Sequence, residues 1–216
     1  MADILREIPG PAGPLEALLD LPDGEPRAAV VFAHPLPTEG GTMHTKAVFQ
    51  GAKGLVRIGC AVLRFNFRGV GRSAGAWDDG RGELDDYRAA LDFMAGRYPG
   101  VELWSAGFSF GSHIASAVGA DDERACALIM IGPPVNKYDF ASVKRSSKPK
   151  FIVHGEADEL IPVKLVQQFY AQLPEPKELV VIDRASHLFD GQASEVGDAL
   201  ADLLEDFHCE DEQAGD

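Results

Sequence analysis

At 216 residues, with 45% hydrophobic and 25% charged positions, the chain fits one folded unit around a single core. Its 20 Lys and Arg against 34 Asp and Glu leave a net charge of −14, a surface that repels phosphate backbones and anionic membranes, so neither nucleic acid nor membrane is an expected partner. No apolar run approaches the ~20 residues of a membrane-spanning helix. Met1–Gly10 also lacks the basic start, apolar centre and cleavage site of a secretory signal, so a cytoplasmic location is expected.

In chain order, Ile4–Ile8 and Leu15–Leu21 flank the turn-rich Pro9–Pro14, which predicts an antiparallel hairpin at a sheet edge. Apolar, β-branched runs follow at Ala28–Ala33, Cys60–Phe67, Val101–Ser105, Ala125–Ile131, Phe151–Val153 and Leu179–Ile182, each read as a buried strand. Helical patterns near 43–58, 83–97, 110–119, 163–172 and 194–207 separate them; in the second, Leu84, Tyr87, Leu91 and Met94 share one face. Such alternation predicts an α/β fold: a mostly parallel twisted sheet with helices on both faces. Gly132–Pro149 is too short for a large cap domain, so an open site is expected. Residues 1–207 read as the single domain, and 208–216 as an acidic, solvated tail without chemistry. Cys60, Cys126 and Cys209 are odd in number and widely spaced, which argues against a disulfide framework or a cysteine zinc site; Cys60 and Cys126 read as buried free thiols.

In an open α/β sheet, ligands bind beyond the carboxyl ends of the strands. Gly107-Phe108-Ser109-Phe110-Gly111 follows one strand directly and opens a small-residue helix. This is the setting of a nucleophile elbow, where flanking glycines permit a sharp turn and the helix N-terminus favours a developing oxyanion. A serine hydroxyl needs a base, and the base needs an orienting carboxylate. Asp158 follows the strand ending at Val153, with Glu156, Glu159 and Asp183 as surface rivals. His187 follows the strand ending at Ile182, with His34, His44, His113 and His154 as rivals. The chain order, serine then acid then histidine, is the one expected of this arrangement. The oxyanion hole is assigned to the backbone amides of Leu36 and Phe110, because Pro35 and Pro37 have no N–H to give. Phe108, Phe189 and Trp77 are candidates for a substrate pocket. Arg68–Gly75 is glycine-rich but is not a phosphate cradle opening a helix, so it reads as a structural turn. No metal-ligand cluster or cofactor motif stands out, and no cofactor or metal is expected.

These segments resemble the small bacterial α/β-hydrolases described as carboxylesterases or dipeptidyl-peptidase-like proteins. The likeness rests on residues 34–43, Arg64–Gly75, Gly107–Gly111, His154–Asp158 and Ser186–Phe189, and covers about residues 25 to 205. Leu36 departs from the pattern, which often has a second histidine there, and so does His44, where Asp is usual. The resemblance implies a minimal serine hydrolase without a cap domain. The expected activity is carboxylesterase cleavage of short-chain neutral acyl esters through an acyl-enzyme. A peptidase or amidase on the same residues, or a non-catalytic binding protein retaining the fold, are the alternatives. A small-molecule ester is the expected partner, and an edge strand or surface helix leaves room for a homodimer.

Overall fold

Strand–helix alternation is realised over residues 5–209, the residues that the computed structural model describes. Strands β1 (Glu7–Ile8), β2 (Leu15–Asp20), β3 (Ala28–Ala33), β4 (Cys60–Phe65), β5 (Glu102–Phe108), β6 (Ala125–Ile131), β7 (Lys150–Gly155) and β8 (Lys177–Ile182) form one eight-stranded sheet. Its order is β1-β2-β4-β3-β5-β6-β7-β8, with β1–β2 and β2–β4 antiparallel and every other pairing parallel. The N-terminal hairpin therefore forms as expected, with Ile8 opposite Leu15. Its first strand is only two residues long, and Ile4 lies outside the described residues.

Helices α1 (Lys46–Arg57), α2 (Arg81–Arg97), α3 (Phe110–Asp121), α4 (Ala141–Arg145), α5 (Val163–Gln172) and α6 (Ala193–Leu204) cover both faces. The two-residue period of the strands decides which face each side chain serves. Val30, Phe32, Val62 and Trp104 meet α1 and α6 through Val48, Leu55, Val196 and Leu200. Ala29, Val31, Leu63 and Phe65 meet α2 and α3 through Tyr87, Leu91, Ile114 and Val118. Leu128, Met130 and Ile152 are capped by Val143, Val166 and Phe169. Tyr87 reaches further than its apolar face predicts: its hydroxyl lies in the sheet, accepting the Ala106 amide at 3.1 Å and donating to the Val31 carbonyl at 2.8 Å.

The connection from β3 through α1 leads to β4 on one side, and α2 returns the chain to β5 on the other. The carboxyl ends of β3 and β5 are thus side by side, Ala33 opposite Gly107, at the point where the strand order reverses. β5 runs three residues past the expected Ser105, which carries the strand up to the residue before Ser109. Arg68–Gly75 is a structural turn: Arg68 is bound to the buried Asp86, and Ser73 bridges the Asn66 carbonyl to the Glu16 amide of the hairpin.

The cysteine expectation is corrected. Cys60 is buried and free, but Cys126 is joined to Cys209 in a disulfide. The cause is the path of the chain after α6. Phe207 packs tilted against Trp104 and edge-on against Phe151, and the Arg27 guanidinium donates to the Glu205 and Phe207 carbonyls. That apolar and hydrogen-bonded seat brings Cys209 beside the start of β6. The rest of the expected tail, 210–216, lies outside the described residues. Glu102 joins the same cluster, accepting the Cys209 amide at 3.2 Å; the two sulfurs there are spent on each other.

Candidate active site

Ser109 takes φ +52° and ψ −122°, a conformation that a residue with a Cβ adopts only when its surroundings compel it. Those surroundings are tight. A Cβ on Gly107 would stand 2.2 Å from the Gly111 carbonyl oxygen, and one on Gly111 would stand 2.4 Å from that of His34. The Ser109 amide donates to the Ile131 carbonyl at 2.8 Å, while its own carbonyl accepts the Ser112 amide and hydroxyl at 2.8 and 2.7 Å. Ser109 is half-buried.

His187, in the loop after β8, has Nε2 2.9 Å from the Ser109 hydroxyl and Nδ1 2.7 Å from Asp158 Oδ2. The other Asp158 oxygen accepts the Leu160 and Ile161 amides at 2.9 and 2.8 Å. Burial works against ionisation of Asp158, but the hydrogen bond and charge of His187, with the Ile161 amide, hold its carboxyl below the ordinary value. An ionised Asp158 takes the Nδ1 proton as acceptor, which leaves the Nε2 lone pair facing the serine O–H. The three expected residues are therefore brought together from three separate loops.

The rivals lie elsewhere. Glu156 accepts the Arg184 amide at 2.9 Å, and Glu159 lies 3.4 Å from the His187 amide, both as loop braces. His44 is exposed, and His113 stacks on Tyr138 at 4.6 Å between ring centroids. His34 and His154 are fully buried beside the site. His154 Nε2 donates to the Ile161 carbonyl at 2.8 Å and so braces the turn that carries Asp158. These supporting roles escape a reading of the sequence, whose only signal is that each histidine directly follows an apolar strand.

Leu36 precedes a short 3-10 turn, Pro37–Glu39, and Phe110 opens α3. Neither amide donates to a protein acceptor among the described residues. The expected pocket is corrected in two of its three members. Phe108 and Phe189 are wholly buried, 5.9 Å apart, and Phe108 backs the His187 ring at 5.4 Å. β5 alternation turns Phe108 into the core, and Phe189 packs into the same core cluster. Trp77 is half-buried against Phe110 at 5.2 Å, and Tyr138 meets Phe110 from another side at 5.8 Å. The half-buried Trp77 and Tyr138 thus flank Phe110, with Leu36 packed against the same apolar cluster, while Leu160 and Leu188 are about half exposed at 50% and 49%. Two surface grooves, one between β8 and α6 and one beside Phe140 and Phe169, contain none of Ser109, Asp158 or His187.

A mostly parallel sheet with a serine at a strand–helix elbow, facing a histidine and a carboxylate, is the architecture of the α/β serine hydrolases. The chain belongs to them, in the family described as serine aminopeptidase, S33, whose sequence model matches residues 24–145. An α/β serine hydrolase homologue from Coxiella burnetii superposes with a TM-score of 0.88 at 38% identity, covering 94% of this chain and 99% of that one. A lidless α/β serine hydrolase from Xanthomonas campestris gives 0.83 at 37% identity, covering 90% and 89%. A monoacylglycerol lipase of Mycolicibacterium smegmatis is 33% identical over 125 residues, 56% of this chain and 43% of the lipase. No helix among the described residues is long and apolar enough to cross a membrane.

Proposed function

We propose that this serine hydrolase is a carboxylesterase acting on short-chain neutral acyl esters through an acyl-enzyme. The observation that carries the reading is the unbroken hydrogen-bonded line from the Ser109 hydroxyl through His187 to Asp158. In this reading His187 Nε2 removes the Ser109 proton as Oγ attacks the ester carbonyl carbon. The Leu36 and Phe110 amides hold the oxyanion, and Asp158 stabilises the imidazolium. The imidazolium then gives its proton to the departing alkoxide, leaving an acyl-serine. Water, deprotonated by the same nitrogen, repeats the attack and releases the acid.

The small apolar surface around Phe110 and the absence of a cap among the described residues fit a short acyl group, and the net charge of −14 fits a neutral substrate. The lipase among the relatives is an ester hydrolase, which supports ester over amide; the description of the family favours amide cleavage as the second reading. The reading keeps the expected cytoplasmic location, where reducing conditions would open the Cys126–Cys209 bond to two thiols, the disulfide forming once the protein meets an oxidising medium. A thiol count on freshly lysed cells tests that point.

The deciding assay is hydrolysis of p-nitrophenyl acetate, butyrate, octanoate and laurate, and of aminoacyl p-nitroanilides, by the wild type and Ser109→Ala. Ester turnover that peaks at the short chains and vanishes in the variant is expected. Turnover confined to the anilides would replace this reading with the peptidase one.

A further inference from the structure

Resting on the reading that Ser109 attacks an acyl carbonyl, we propose that His34 is the positioning residue of the oxyanion hole: its ring holds the Pro35–Leu36 peptide so that the Leu36 amide faces the reacting oxygen.

The protonation pattern of the ring follows from its partners. The Phe67 amide donates to Nε2 at 3.1 Å, so Nε2 carries the lone pair. The ring proton then belongs to Nδ1, which donates to the Pro35 carbonyl at 2.6 Å. His34 is completely buried, and burial lowers its pKa to about 4, which keeps the ring neutral. A second ring proton would also oppose the Phe67 N–H.

The consequence lies in one peptide plane. The C=O of Pro35 and the N–H of Leu36 belong to the same trans unit and point to opposite edges of it. Drawing the carbonyl towards the His34 ring therefore turns the N–H away from it. The carbonyl has no room to swing back, because a Cβ on Gly41 would stand only 2.1 Å from the Pro35 oxygen. The Leu36 carbonyl is held as well, accepting the Gly41 and Glu39 amides at 3.0 and 3.1 Å. Both carbonyls flanking Leu36 are thus committed, while its amide is left without a protein acceptor among the described residues. The elbow lies alongside, since Gly111 rests against the Ala33 and His34 carbonyls. Residue 34 supplies an orientation and itself touches no reacting atom.

Three variants separate the two hydrogen bonds of the ring. His34→Asn places an amide N–H near the position of Nδ1 and keeps the hold on Pro35. His34→Gln reaches the position of Nε2 and serves Phe67 alone, and His34→Leu serves neither. With p-nitrophenyl butyrate, the Gln and Leu variants are expected to lose kcat by about 30-fold to 100-fold, up to the loss of one oxyanion donor, with KM within about twofold. Inhibition by a trifluoromethyl ketone, whose serine adduct carries the oxyanion, should weaken by the same factor, while the Asn variant recovers most of both. Wild-type kcat and ketone inhibition in the Leu variant would overturn the proposal. Should the variants not fold, the ring nitrogens of the wild type, observed by 15N NMR, decide it: a neutral ring with its proton on Nδ1 supports the proposal, and a proton on Nε2 overturns it. Wild-type protein with no Ser109-dependent turnover of any ester would instead overturn the esterase reading, and the NMR result would still report on His34.

Discussion

The two ends of the parallel sheet are held in different ways. At the carboxyl ends, short local bonds and close backbone contacts each aim a particular atom: Gly107 and Gly111 shape the elbow, and the Leu160 and Ile161 amides fix Asp158. At the amino ends the ties span the whole chain. Arg27 grips the Glu205 and Phe207 carbonyls, Glu102 accepts the Cys209 amide, and a disulfide links residues 83 apart in sequence. One end spends its interactions on direction, and the other on keeping the chain closed. Damage to the first should therefore register in rate, and damage to the second in stability.

The sharpest test of the directional end is Ser109→Ala, expected to lower kcat by about 10^6-fold with little change in melting temperature. Next comes Asp158→Asn, which offers His187 an amide in place of the carboxylate and unsettles its tautomer; a fall in kcat on the order of 10^3-fold to 10^4-fold is expected, read on the same ester. At the opposite end, Cys126→Ser opens the long loop. A loss of about 4 kcal/mol, or roughly 10 °C in thermal unfolding under oxidising conditions, should leave kcat unchanged well below the transition. A large fall in kcat at an unchanged melting point would break the contrast.

Acid gives a smaller effect. Burial lowers the pKa of His34 to about 4, and lowers those of His113 and His154, so each takes up a proton on unfolding once the pH drops below ~6.5. Stability falls as pH falls through that window, by about 2 kcal/mol from His34 alone between pH 7 and 5, checked by urea midpoints. Asp158, with its lowered pKa, adds a further loss only at more acid pH. The smallest change belongs to Trp77→Ala, which thins the wall beside Phe110. A rise in KM of a few-fold, greater for butyrate than for acetate, is expected.

How much of this can be read without coordinates depends on how far each feature reaches along the chain. Ser109, Asp158 and His187 each stand just after an apolar run, so strand periodicity and the elbow glycines are enough to pick them out. Phe108 carries the same local signals as an exposed pocket residue, and its place on the Trp104 and Ala106 face of β5, packed against His187 and Phe189, buries it. The Cys126–Cys209 link depends on Phe207 finding Trp104, a contact no local pattern announces. His34 and His154 look like competing bases until their ring partners are known.

The same disulfide divides the machinery in an unplanned way. The loop that it closes holds β6, β7 and β8 together with Asp158 and His187, while Ser109 and Leu36 lie on the open stretch before it. A protease that nicks the exposed turn around Gly191 would leave a single covalent molecule, separable into two pieces only after reduction. A nick between Ser109 and Ala125 would instead leave two pieces with no covalent link, the nucleophile on one and its base on the other.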